Sequence, residues 1–84
     1  MNPRVLSVIT LPGHRLALEF TNSERRVFDV RPYLTHGVFQ QLTDETLFQQ
    51  ARVVGGTVVW PGDLDICPDT LFLESRPILE CHAS

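Results

Sequence analysis

Residues 51–60 read Ala-Arg-Val-Val-Gly-Gly-Thr-Val-Val-Trp, and this stretch decides the fold. Two runs rich in β-branched residues flank Gly55-Gly56, a dipeptide that readily takes the positive φ required at both central positions of a two-residue type I′ turn. The pattern therefore predicts a β-hairpin in which Val54 faces Thr57 and Val53 faces Val58.

The predicted hairpin has two different sides, because side chains alternate between the faces of a strand. One side holds Ala51, Val53, Val58 and Trp60, with Trp60 as a core anchor. The other side holds Arg52, Val54, Thr57 and Val59. This second side is too apolar for an ordinary solvated surface. Covered by a helix of the same domain it would be core, and left open it would be a self-association or partner-binding surface.

A helix is predicted after the hairpin. We expect the chain to leave the sheet at Pro61, because proline has no N–H for a strand ladder. Pro68 suits the first turn of a helix, and Asp69 beside it interacts favourably with the positive end of the helix dipole. We expect Asp65 to accept a backbone N–H at this helix start, and Pro77 to end the run.

Before the hairpin, three alternating segments predict an antiparallel meander over residues 5–11, 14–21 and 25–30. The residues expected to point inward are Leu16, Leu18, Phe20, Phe28 and Val30. A type II turn at Pro12-Gly13 joins the first two strands. Between the meander and the hairpin, Thr43 is expected to cap a short helix over about residues 44–50.

Together these elements predict a small α+β fold: an antiparallel β-meander and a β-hairpin with two short helices, in the order β-β-β-α-β-β-α. We expect residues 1–84 to form a single domain, with a core over about 4–75 and a flexible C-terminal tail over 76–84. So short a chain buries a modest share of its surface, and self-association would add stability.

Composition limits the classes of function. The 84 residues carry a formal net charge of −3, with arginine as the only strongly basic residue type, which weakens a nucleic-acid-binding interpretation. The spacing of Cys67 and Cys81 suggests no zinc site, redox pair or disulfide framework, so we expect reduced cysteines in the cytoplasm. The sequence contains no apolar run long enough to span a membrane.

Three groups of side chains are candidates for a chemical role. Asp63, Asp65 and Asp69 are a weak cation-site candidate, because Cys67 and Pro68 occupy the ligand and glycine positions of a calcium loop, and capping of the helix start is favoured. The second set is His14, His36 and His82 with Cys67 and Cys81. It has no metal or catalytic spacing, and His14 and His36 are expected to be exposed turn residues. No catalytic residue, cofactor or metal is predicted, and an enzyme is a remote alternative.

The third group is basic. Arg25, Arg26 and Arg31 are the candidate nucleic-acid contacts, although an exposed strand with two arginines is more often a charged edge that blocks unwanted strand pairing.

The chain resembles a small bacterial family known as domain of unknown function 2442. The motifs that carry the resemblance are 28–34 (Phe-Asp-Val-Arg-Pro-Tyr-Leu), 37–39 (Gly-Val-Phe), Leu42, Phe48, 59–61 (Val-Trp-Pro) and 65–71 (Asp-Ile-Cys-Pro-Asp-Thr-Leu). The segment between Trp60-Pro61 and Asp65-Ile66 is one residue shorter here than is usual in the family. The resemblance implies a compact α+β domain, sometimes joined to a helix-turn-helix DNA-binding domain, without established catalytic activity.

The leading hypothesis is a non-catalytic interaction module that forms a homo-oligomer, with a dimer expected, or binds a protein partner. The proposed contact residues are Tyr33, Phe39, Val54, Thr57 and Val59. The alternative is an accessory nucleic-acid-binding or transcription-associated protein that uses Arg25, Arg26 and Arg31.

Overall fold

Two antiparallel sheets, joined through short helices, make up the fold. In a computed structural model that describes residues 2–35 and 37–78, the strands are β1 Val5–Leu11, β2 Arg15–Phe20, β3 Arg25–Asp29, β4 Arg52–Val54, β5 Thr57–Trp60, β6 Leu64–Ile66 and β7 Arg76–Pro77. The helices are two 3₁₀ segments, Arg31–Tyr33 and Gly37–Thr43, and the α-helices α1 Glu45–Phe48 and α2 Pro68–Glu74. One sheet has the order β1-β2-β3-β7 and the other β4-β5-β6. The predicted α+β class is confirmed.

The meander follows the predicted alternation. Leu16 lies opposite Phe28 across β2 and β3, and both side chains are buried. Leu18, Phe20 and Val30 are also buried on this inner face. Gly13 has φ +81, the value that the third position of a type II turn requires.

The glycine hairpin forms in the predicted register. Val54 pairs with Thr57, Val53 with Val58 and Arg52 with Val59. Gly55 and Gly56 have φ +60 and +83, so both central positions of the turn lie in the left-handed region. The backbone N–H of Val5 donates to the Gly56 carbonyl over 3.1 Å, which ties the tip of this hairpin to the start of β1.

The chain leaves β5 at Pro61 as expected, but it returns to the sheet in a third strand that the sequence did not predict. Gly62 at φ +90 and Asp63 at φ +64 let the chain reverse tightly, and β6 then pairs with β5, placing Leu64 opposite Trp60. This third strand buries Leu64 and Ile66. Asp65 consequently lies in β6 opposite Val59 and does not cap α2.

Helix ends differ from the predictions in detail. Asp44 caps α1, because its Oδ1 accepts the Thr46 N–H over 3.0 Å, whereas the Thr43 hydroxyl donates to the Gln40 carbonyl. Pro68 does occupy the first turn of α2, with Asp69 beside it. The residue at the N-cap of α2 is Cys67, whose side chain makes no capping bond.

The predicted tail begins too early. α2 ends at Glu74, and Arg76 and Pro77 form β7, which pairs with Val27 and Arg26 of β3. Proline is tolerated there because β7 is an edge strand. Residues 79–84, the rest of the predicted tail, lie outside the described residues.

One hydrophobic core connects the two sheets. The Phe48 and Trp60 rings stack with centroids 6.3 Å apart, and the Trp60 indole N–H donates to the Phe48 carbonyl over 2.9 Å. Trp60 is 3% exposed, which confirms its predicted place in the core. The same cluster includes Val5 from β1 and Leu71 from α2, so every layer of the fold contributes.

Candidate functional site

The second side of the hairpin is only partly open. Val54 is 54% exposed, whereas Thr57 and Val59 are half-buried. In the register of the three-stranded sheet, Val59 lies between Arg52 on β4 and Asp65 on β6, and both of these side chains are exposed. The charged neighbours flank Val59, so Val54 is the main apolar side chain that this side presents to solvent.

Tyr33 and Phe39 lie against the core instead of standing out from it. The Tyr33 ring is 5.5 Å from the Phe28 ring and 5.8 Å from the Phe39 ring, centroid to centroid. The Tyr33 hydroxyl donates to the Glu74 carboxylate at the end of α2. Burial and this carboxylate raise the pKa of Tyr33 to about 12, so the phenol is neutral at physiological pH. These two rings hold the two 3₁₀ segments, which link β3 to α1 and which we call the connector, to the rest of the domain.

The most exposed apolar strand is β1, at the edge of the four-stranded sheet. Its sequence, Val-Leu-Ser-Val-Ile-Thr-Leu, contains no charge and no proline. Leu6 is 57% exposed and Ile9 is 64% exposed. Natural edge strands are usually blunted by charge, proline or a bulge, and β1 has only a bulge between Val5 and Ser7 at its first end.

Among the described residues, no backbone hydrogen bond reaches the outer edge of β1 beyond its first residue. Within the described part of the chain, the backbone hydrogen bonds of residues 6–11 go to β2 alone. β1 also packs beside β4, so exposed Leu6 and exposed Val54 belong to neighbouring strands. We group Leu6, Ile9 and Val54 with the outer edge of β1 under the name β1 surface.

Leu6 and Ile9 were not among the contact residues predicted from the sequence. The absence of charge from residues 5–11 was visible in the sequence and could have identified an unprotected edge. Which strand would lie at the edge was not visible, because the order of strands in the sheet depends on where β7 returns.

The three arginines proposed for nucleic-acid contact do not form one surface. Arg26 is engaged internally: its Nε donates to the Ser75 hydroxyl over 2.7 Å, its Nη2 donates to the Ser75 carbonyl, and its guanidinium lies 4.6 Å from the centre of the Phe72 ring. Arg31 is paired with Asp29 over 2.9 Å, and the same guanidinium lowers the pKa of that carboxyl. Arg25 lies on the opposite face of β3 from Arg26, because neighbouring residues alternate in a strand.

His14 is not the exposed turn residue that we expected. Its ring lies 4.9 Å from the Phe48 ring, and its Nε2 is buried without a hydrogen-bond partner among the described residues. The loop that ends β1 folds inward at positive φ and places the imidazole against α1. His36, His82 and Cys81 lie outside the described residues.

No metal centre forms from the described side chains. Asp63 lies in a turn, Asp65 in β6 and Asp69 in α2, and no group of three or more histidine, cysteine or acidic side chains in residues 2–35 and 37–78 is arranged to hold an ion. Cys67 is an exposed free thiol. A hydrogen bond with the Thr70 hydroxyl lowers the pKa of this thiol.

None of the helices in the described part of the chain has the length and apolar character that crossing a bilayer requires.

Comparison with known proteins identifies the family. Neither the curated proteins nor the solved structures give a significant match. The model of a family described as protein of unknown function, DUF2442, matches residues 5–77, which extend from the first residue of β1 to the last residue of β7. The chain therefore belongs to the DUF2442 family.

Proposed function

We propose that this protein is a non-catalytic interaction module that self-associates by antiparallel pairing of β1 with β1 of a second copy. The observation that carries the proposal is the free edge of an uncharged seven-residue strand, with Leu6 and Ile9 each more than half exposed. An unpaired row of backbone N–H and C=O groups is a ready template for another strand. Pairing would satisfy those groups and extend the four-stranded sheet across both copies.

A second copy suits this surface for reasons of symmetry. In a two-fold dimer the same patch meets itself, so the residues of the patch must tolerate one another. A strand with a charge would bring like charges together, whereas β1 has none. The chain as a whole is acidic, with a net charge of −3, so an interface away from its carboxylates also limits repulsion between copies.

The β1 surface offers apolar area that self-association would remove from water. Ile9 lies opposite Ala17 of β2, on the outer face of the sheet, and Val54 is an exposed apolar side chain of β4, which packs beside β1. Each square ångström of apolar surface removed from water contributes about 25 cal/mol. The small core of an 84-residue chain makes such a contribution significant for stability.

Light scattering coupled to size-exclusion chromatography tests the proposal with a matched pair of variants. We expect the wild-type protein to elute at twice the 9.5 kDa chain mass, and Ile9→Lys to shift it to the monomer, because each copy would bring a positive charge into an interface formed by an uncharged strand. Leu73→Lys is the control: Leu73 is 68% exposed on α2, away from β1, and this variant should remain dimeric.

Two results would overturn the proposal. One is a wild-type protein that remains monomeric at high micromolar concentration. The other is a dimer that survives Ile9→Lys but is lost in Leu73→Lys, which would place the interface on α2. A reduced cytoplasmic location belongs to the same proposal, supported by the free thiol of Cys67.

A further inference from the structure

A cleft lies between β3, the first 3₁₀ helix and the end of α2. It is towards the edge of the four-stranded sheet that β7 forms, which is the edge opposite β1. It has a volume of about 630 Å³, within the range of ligand-binding pockets. Arg15, Arg31 and Arg76 line it together with two carboxylates, Asp29 and Glu74. Arginines thus outnumber acids here, in a chain whose net charge is −3.

Strand register fixes two of these arginines on one face. Arg15 pairs with Asp29 and Arg76 pairs with Val27, and paired residues lie on the same face of a sheet. Asp29 and Val27 are two positions apart on β3, so Arg15 and Arg76 stand on either side of this strand with Cα atoms roughly 12 Å apart. Val27 lies between them as an apolar floor.

The two carboxylates of the cleft already have partners. Both oxygens of Asp29 accept hydrogen bonds from the Arg31 guanidinium, over 2.9 to 3.2 Å, and one also accepts the Arg31 backbone N–H. Glu74 accepts the Tyr33 hydroxyl. Arg31 is therefore neutralised by Asp29, and neither carboxylate pairs with Arg15 or Arg76.

Arg15 and Arg76 retain most of their hydrogen-bonding capacity. Arg15 donates one long bond, from Nε to the Pro12 carbonyl over 3.4 Å. The Arg76 side chain makes no hydrogen bond or ion pair with the residues that the structure describes. Both side chains are exposed, so their guanidinium groups are available to a ligand that enters the cleft.

We propose that this cleft binds a monoanionic carboxylate attached to an apolar group, held between Arg15 and Arg76 above Val27. A guanidinium matches the geometry of a carboxylate, donating two parallel hydrogen bonds. The excess of one positive charge fits a single negative charge, and the nearby carboxylates of Asp29 and Glu74 disfavour a dianion such as phosphate. Val27, Pro32 and the Tyr33 ring supply apolar contacts for the rest of the ligand.

Two sources share this chemistry, a free organic acid and the C-terminal carboxylate of a peptide. The test is an NMR titration of the ¹⁵N-labelled full chain with N-acetyl-leucine, with its neutral amide, with inorganic phosphate, and with an N-acetylated peptide ending in leucine as free acid or amide. We expect saturable shifts at the amides of Arg15, Val27 and Arg76 with the free acids and none with the amides.

Variants locate the site. Arg15→Gln and Arg76→Gln should each weaken binding of N-acetyl-leucine by about tenfold or more, since each removes a charge-assisted pair. Arg52→Gln, a change of an equally exposed arginine on the other sheet, should leave the affinity unchanged. Arg76→Gln should leave the elution mass of the protein unchanged, because β7 is the sheet edge opposite β1, so this site and the self-association proposal fail independently.

The outcomes divide as follows. Saturable binding of N-acetyl-leucine supports a free acid as ligand, and binding of the peptide acid at about tenfold higher affinity supports a peptide terminus. The proposal is overturned if the neutral amides bind as well as the acids, if phosphate binds more tightly, if no probe gives saturable shifts, or if Arg76→Gln binds like the wild type.

Discussion

At the scale of single residues, Tyr33 shows how one polar contact fixes a connector. It is the only tyrosine in the chain. Its ring packs against Phe28 of β3, and its hydroxyl reaches Glu74 of α2, so one side chain bridges a strand and a helix. The phenol can donate this bond only while it is protonated. The link between the connector and α2 therefore depends on a proton.

The pH dependence of this link is a prediction. Burial and the Glu74 carboxylate raise the pKa of Tyr33 from 10.0 to about 12 in the folded protein. The fold favours the neutral phenol, so the stabilisation is fully present below pH 10.0 and is lost as pH rises towards 12. Phenolate absorbance will follow Tyr33 directly in a pH titration.

Glu74→Gln is the control for this titration. It removes the negative charge but leaves the ring half-buried, so the pKa of Tyr33 should fall towards its ordinary value without reaching it. A wild-type Tyr33 that titrates with the same pKa as in the urea-unfolded chain would show that neither burial nor Glu74 acts on it.

Predictions for single residues were correct where the conformation depends only on the local backbone. The turn at Gly55 and Gly56 could be predicted because glycine adopts positive φ without steric strain, whatever its distant neighbours are. His14 was interpreted wrongly, since its neighbours Pro12 and Gly13 indicated only a turn. Whether the side chain of a turn residue points to solvent or packs on Phe48 depends on residues far away in the sequence. The local sequence pattern therefore does not predict the burial of His14.

At the scale of elements, Arg26 joins β3 to the end of α2. Its guanidinium donates to the hydroxyl and carbonyl oxygens of Ser75, lies over the Phe72 ring and pairs with Glu24 over 2.9 Å. Ser75 is buried, so its carbonyl would lose a partner without this arginine. The chain then turns into β7, whose Pro77 pairs with Arg26 itself.

Arg26→Met tests this connection. Methionine keeps much of the apolar stem but leaves the Ser75 oxygens without their donor, so we expect a loss of about 1–3 kcal/mol in the free energy of unfolding. Urea denaturation monitored by Trp60 fluorescence will measure it.

Two companion variants make the result specific. Arg26→Lys should also be destabilised, because an ammonium cannot reproduce the fork of donors that spans Ser75. Arg52→Met, at an exposed position of β4, should stay within about 0.5 kcal/mol of the wild type. Equal stability of Arg26→Met and Arg52→Met would contradict the role given to Arg26.

Element-scale predictions failed where strands are short. The meander and the glycine hairpin were predicted because alternation extends over several residues. β6 has three residues and β7 has two, too few to show a period. Both follow or contain a proline, which favoured loop or tail, and both form because a partner strand is already in place: β5 for β6 and β3 for β7.

At the scale of the whole molecule, the two sheets meet where the tip of the hairpin touches the start of β1. The contact uses the bond from Val5 to Gly56 and a second from the Arg4 guanidinium to the Gly55 carbonyl over 3.0 Å. The Arg4 side chain also packs on Gly56: a Cβ added at position 56 would lie 2.8 Å from the Cβ of Arg4. This junction covers one end of β1, and no other backbone hydrogen bond from the described residues reaches the outer edge of that strand.

Sequence alone could predict that some apolar surface would remain open, but not its location. The second side of the hairpin was the natural candidate because Val54 and Val59 lie on it. The structure shows Val59 half-buried between Arg52 and Asp65, whose position across from it depends on the unexpected β6. The proposed interface therefore moves to β1 and keeps only Val54 from the predicted set.

The central claim is that β1 pairs with β1 of a second copy, and amide hydrogen exchange of β1 as a function of protein concentration tests it most directly. Outward amides of residues 6–11 should be protected at high concentration and exchange faster on dilution, while the buried β2 amides remain protected throughout. Ile9→Lys should show the fast exchange at every concentration. Exchange in β1 that is rapid and independent of concentration in the wild-type protein would contradict the account.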